Sequence, residues 1–189
     1  TWDVSNVTNM SGMFRNATAF DQHIGDWNTS SVTAMNQMFR DAFNFNQSIG
    51  DWNISTVTNM SDMFQGAAAF NQTIGDWNIS AVTTMQNMFK GASSFDQDIG
   101  DWNISAVTNM AWMFANASSF NRALQNWDTS AATNKRGLFY NAVSFNQNIS
   151  DWNTSAATNM DSMFNGTTSL SDSNKGLIHS SFSSNANWP

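Results

Sequence analysis

Apolar and polar positions in this chain recur at a single interval. Trp2, Trp27, Trp52, Trp77, Trp102, Trp127 and Trp152 stand 25 residues apart, with no insertion between them. Aligned on Trp, a unit reads W-[DN]-[VIT]-S-x-V-T-x-M-x-x-M-F-x-x-A-x-x-F-[DN]-Q-x-I-G-D. At each junction the run I-G-D-W-N-I, as in Ile49 to Ile54, ends in alternation. Period two predicts a short strand with Trp52 and Ile54 turned inward and Asp51 and Asn53 outward. A Ser then recurs in every unit, and behind it the spacing becomes V-x-x-M-x-x-M-F, as in Val57, Met60, Met63 and Phe64. That stripe predicts a helical or 3₁₀ segment, with Ser55 placed to cap its first turn. A further turn, A-x-x-F (Ala67 and Phe70), and an [DN]-Q pair lead back to the next unit.

A period held this strictly means that each unit stacks on its neighbours and touches little else. The expected fold is therefore an α/β repeat solenoid, leucine-rich-repeat-like, with one short strand plus helical or 3₁₀ turns per 25-residue repeat. Seven rungs at about 4.8 Å give a stack of roughly 34 Å. The array wears towards its end: unit six carries Ala132, Lys135 and Leu138 where others have Val, Met and Met. After Phe164 the pattern stops, and Leu170, Leu177, Ile178 and Phe182 take the spacing of one amphipathic helix. The expected division is a seven-unit array over 1–167, truncated at its N-terminus, and a C-terminal cap over 168–189. An uncapped first strand is expected to permit end-to-end self-association.

Composition narrows the partners. There are 15 Phe, 12 Met and 9 Trp because each is copied once per unit, and the 14 acidic residues are all Asp, against seven Lys and Arg. A net charge of −7 argues against nucleic acid and anionic lipid, which need a basic surface. No run approaches the roughly 18 apolar residues of a membrane span, so direct insertion is not expected. The absence of Cys excludes disulfides and thiolate metal sites but not secretion.

The copied motif, best seen over Trp2–Ile24 and Trp52–Ile74, closely resembles that of the BspA-type leucine-rich-repeat surface proteins, across essentially residues 1–167. The tail, from Leu170 through Gly176-Leu177-Ile178-His179 to Trp188-Pro189, resembles the segment that often closes such arrays. The resemblance implies a cell-surface or secreted protein of bacteria or microbial eukaryotes, often lipid-anchored or joined to other modules. It implies adhesion to an extracellular protein or glycan, and it brings no catalytic residues.

Candidate chemistry then lies on the surface. Asn53, Asn78 and Asn103 line the outward face of the expected strands and are candidate ligand contacts. Asp51, Asp76 and Asp101 stack there too, and like charges on adjacent strands repel. That repulsion makes a Ca²⁺ ion a candidate, although the spacing matches no dedicated Ca²⁺ loop. Amide ladders or hydration are the plainer alternatives. A Thr in every unit (Thr8, Thr33, Thr58 onward) raises an ice-binding reading, against a hydroxyl that bonds backbone. Trp112 replaces Gly, Gln, Asp, Asn or Ser, and Tyr140 stands in a slot of Arg15, Arg40, Gln65 and Lys90. With Lys135 and Arg136 close by, they form a candidate contact patch of the residue types that dominate binding hot spots. Filling of the gap over Gly137 by Trp112 is the plainer alternative, and Phe43 is a second outlier. His23 and His179 stand at unrelated positions, so no catalytic grouping is expected. An adhesin module is the leading reading, with a structural spacer between other modules as its rival.

Overall fold

A computed structural model describes residues 2–189. Each 25-residue unit forms one rung of a stack, and successive rungs are joined by a single parallel bridge. These run Asn9–Ala34, Ala34–Asn59, Asn59–Thr84, Thr84–Asn109, Asn109–Asn134 and Asn134–Asn159. Among the described residues there is one helix and no strand. The expected α/β solenoid, with a strand and a helical segment in every repeat, is therefore wrong.

The strand fails for a local reason. Trp52 N–H donates back to Ile49 O at 3.2 Å, and Val57 N–H to Ile54 O at 2.9 Å, so two tight turns leave only Trp52–Asn53–Ile54 extended. The neighbouring rung's carbonyl is also taken: the Trp52 indole Nε1–H donates to Ile24 O at 3.1 Å, and Trp77, Trp102, Trp127 and Trp152 repeat that bond. Side-chain donors thus do here what a strand ladder does elsewhere. The inward and outward assignment survives, with Trp52 and Ile54 buried and Asp51 and Asn53 exposed. Gly50 is required in the first turn, since a Cβ there would lie 2.8 Å from Thr73 O of the next rung.

The helical stripe fails because the backbone turns left-handed twice per unit. Positive φ recurs in the slot of Gly12, Gln37, Asp62, Asn87, Trp112, Gly137 and Ser162, and again in that of Asn16, Asp41, Gly66, Gly91, Asn116, Asn141 and Gly166. A right-handed helix cannot pass through such residues. They sit third in successive tight turns, closed in the first unit by Met13 N–H to Met10 O and Ala17 N–H to Phe14 O. The alternate amides point along the stack: Met10, Gly12, Phe14 and Asn16 donate to Ala34, Asn36, Met38 and Arg40. Donors therefore alternate between the unit's own turns and the next rung, and no helix is needed to satisfy them.

The core is a set of columns. Phe64 and Phe89 stack at 5.6 Å, Phe70 and Phe95 at 6.1 Å, and within a rung Phe64 meets Phe70 at 4.0 Å, all with nearly parallel planes. Each such pair contributes about 0.5–1.5 kcal/mol beyond the area it buries. A polar column flanks them: Asn71 N–H donates to Asn46 Oδ1, Asp96 N–H to Asn71 Oδ1 and Asn121 N–H to Asp96 Oδ1, each at 2.9 Å. The stack closes on helix α1 (Asp172–Phe182), whose N-cap Ser171 accepts from Asn174 N–H. Ile178 and Phe182 are buried against the last rung, whereas Leu177, expected on the same face, is 48% exposed.

Candidate functional site

The residues singled out from the sequence divide sharply once placed. Asn53, Asn78 and Asn103 are exposed, but each Oδ1 accepts from the Ser two residues on, from its N–H at 3.2 Å and its hydroxyl at 2.7–2.8 Å. Asn, and not the expected Ser, therefore begins the turn that follows, as an Asx turn. Where Asp stands in this column, at Asp3 and Asp128, the Ser hydroxyl and then its N–H hold the carboxyl below its ordinary value.

Asp51, Asp76 and Asp101 are exposed along the same face. Asp76 and Asp101 border a shallow hollow with Asp98, Thr73 and Gly75. Among the described residues, no three His, Cys, Asp or Glu side chains converge closely enough to hold a metal ion. The Thr column is spoken for as well: Thr83 Oγ1 donates to Thr58 O and Thr108 Oγ1 to Thr83 O, both at 3.2 Å. These hydroxyls tie rung to rung.

The patch around Trp112 is gathered, with one substitution in its membership. Trp112 and Tyr140 meet edge to face, with ring centroids 5.5 Å apart and planes at 67°. The Arg136 guanidinium lies 5.6 Å from the Trp112 ring centroid, and the Lys90 ammonium 5.9 Å from it on the preceding rung. Lys135 does not belong. It occupies the core slot of Met35, Met60 and Met85, is 0% exposed, and its Nζ donates to Ala132 O at 2.6 Å. Burial pushes its pKa down to about 8. Adjacency to Arg136 suggested an exposed pair, but the buried column claims position 135 and turns Arg136 outward.

Lys90 escaped the sequence reading because it is an ordinary occupant of its slot. The available signal was register: its slot on one rung borders the Trp112 slot on the next. Trp112 is half-buried, not free in solvent, because its ring lies flat over Gly137, where a Cβ would overlap ring atoms. It also holds φ = +59°, a conformation that costs an ordinary L-residue about 1–2 kcal/mol. Of the cations outside the core, Arg40, Arg122 and Lys175 pair with carboxylates, and Arg15 donates to Gln37 Oε1. Among the described residues Lys90 and Arg136 have no such partner, and both stand over the same indole.

The family described as "Mycoplasma protein of unknown function, DUF285" matches residues 1–92 and, in a second overlapping match, residues 72–176. No curated protein and no solved structure matches the chain.

Proposed function

The chain belongs to that family of repeat proteins, and we propose that it serves as an adhesin module of the BspA type, at a cell surface or secreted. In this reading it acts by recognition and not by catalysis, and it binds an extracellular protein or glycan through the outward turns of its rungs. One observation carries the proposal. Six units keep a Gly or a polar residue in the first positive-φ slot, and one places Trp112 there, beside Tyr140 and two cations that lack carboxylate partners. A bulky side chain held at a conformational cost, half out of the core, is poorly accounted for by packing alone. Trp, Tyr and Arg are also the residues over-represented where binding energy concentrates.

The test is attachment. Beads coated with the chain are scored on epithelial monolayers and on plates coated with matrix proteins, beside Trp112→Asn with Tyr140→Gln. Both replacements copy residues already present in those slots, at Asn87 and Gln65, so the fold is retained. Attachment that falls in the double variant at an unchanged melting temperature supports the adhesin. Equal attachment by both proteins leaves a spacer as the better description.

A further inference from the structure

Resting on that reading of the Trp112 patch, we infer that its ligand is a carboxylated sugar at the end of a glycan, seated by Arg136 and Lys90. The argument begins with charge. The chain carries −7 overall, and its exposed Asp column repels polyanions at long range. Against that field, two unpaired cations converge on one ring, 5.6 and 5.9 Å from its centroid. A surface of this kind admits one localised negative charge and rejects a densely charged chain.

Geometry then selects the form of the charge. The Arg136 guanidinium lies over the Trp112 ring and, among the described residues, makes no side-chain hydrogen bond, so its N–H edge is free. That edge matches the two oxygens of a carboxylate. Trp112 is thus a positioning residue: its ring lies on Gly137 and is braced by the edge of Tyr140, so it fixes where Arg136 points. Lys90 adds a second donor from the preceding rung.

The rim indicates the body attached to that carboxylate. Gln86 accepts from Asn109 Nδ2, and Asn116 accepts from Asn141 Nδ2, each through its carbonyl oxygen. Asn116 is exposed and Gln86 half-exposed, and among the described residues their own amide N–H₂ groups have no acceptor within the protein. Neutral donors and acceptors around two cations suit a polyhydroxylated ring better than the apolar surround of a protein hot spot.

The experiment measures binding of the 189-residue chain to N-acetylneuraminyl-lactose and to lactose, each displayed on the same polymer. A capped peptide bearing a single Asp, on that polymer, is the third probe. Binding to the acidic sugar and not to lactose or peptide is expected. Arg136→Gln should weaken it about tenfold or more, the loss expected of one charge-assisted bidentate contact. Trp112→Asn should weaken it with no loss of melting temperature, while Arg15→Gln on the first rung should leave it unchanged. Equal binding to lactose, equal binding to the peptide, or indifference to Arg136→Gln overturns the inference. Should attachment to cells or matrix still depend on Trp112 while all three probes fail, the ligand class is wrong and the adhesin reading stands. Should attachment ignore Trp112, both fall.

Discussion

Lys135 shows what one side chain does when a repeat places it in a column made for another. The slot holds Met in most rungs, and the ammonium replaces it with one short bond to Ala132 O and a longer one to Thr129 O. Burying a charge this way favours its neutral form, which is why the pKa falls from 10.5 to about 8. The unfolded chain therefore binds more protons than the folded one between pH 8 and about 10.5, and stability must rise with pH across that window. Below pH 8 both states are charged and the penalty, on the order of 3 kcal/mol, is fully present. Lys135→Met should raise the melting temperature at pH 7 and remove that rise, as thermal melts between pH 7 and 10.5 would show. A flat wild-type profile would refute the account. Trp112 is the converse case, a large residue in a slot made for small ones. Trp112→Gly relieves its positive φ, so stability should be kept or gained even as binding is lost. Melting and attachment of that one variant separate the two effects.

At the scale of the turn, the two left-handed positions decide what the unit becomes. The second column holds only Asn, Asp and Gly, the residues that accept positive φ. That column was legible in the sequence, yet the V-x-x-M-x-x-M-F spacing spoke louder. Met60, Met63 and Phe64 do face the core, but through successive turns, because apolar spacing reports which residues point inward and not how the backbone connects them. The junction misled in the same way: its alternation assigned burial to Trp52 and Ile54 correctly and the strand wrongly. No sequence pattern announces that an indole N–H will occupy the carbonyl a strand would use. The patch was half legible, since Trp112 and Tyr140 break an alignment, whereas Lys90 becomes visible only once rungs are in register. Gly91→Ala, which forces a Cβ into φ = +74°, should destabilise by about 1 kcal/mol or more, while Asn116→Gly in the same column should be tolerated. Urea unfolding of the two variants checks the contrast. At the closing element, Phe182 and Ile178 are what α1 contributes to the last rung. Phe182→Ala should cost about 3–5 kcal/mol if the helix covers the stack.

Across the whole molecule, what holds one rung holds only its neighbours. The bridges, the indole bonds, the Asn column and the Phe stacks between rungs link positions 25 or 28 residues apart, and none spans two rungs. Stability is then close to a sum over rungs and the interfaces between them. Removing residues 77–101 joins Asp76 to Trp102 and recreates the same G-D-W junction, so every column stays in register with one member fewer. That deletion should fold, with its denaturant slope reduced by roughly one-seventh, since the slope follows the surface exposed on unfolding. Removing only residues 92–101 takes away fewer residues but shifts the Trp and Phe columns by ten positions against the next rung. The indole of Trp127 then loses Ile99 O as its acceptor, and the Asn ladder loses Asp96, so the shorter deletion should be the more damaging. Guanidinium unfolding of the two side by side decides the matter, because a compact core stabilised by long-range packing would suffer more from losing 25 residues than from losing ten.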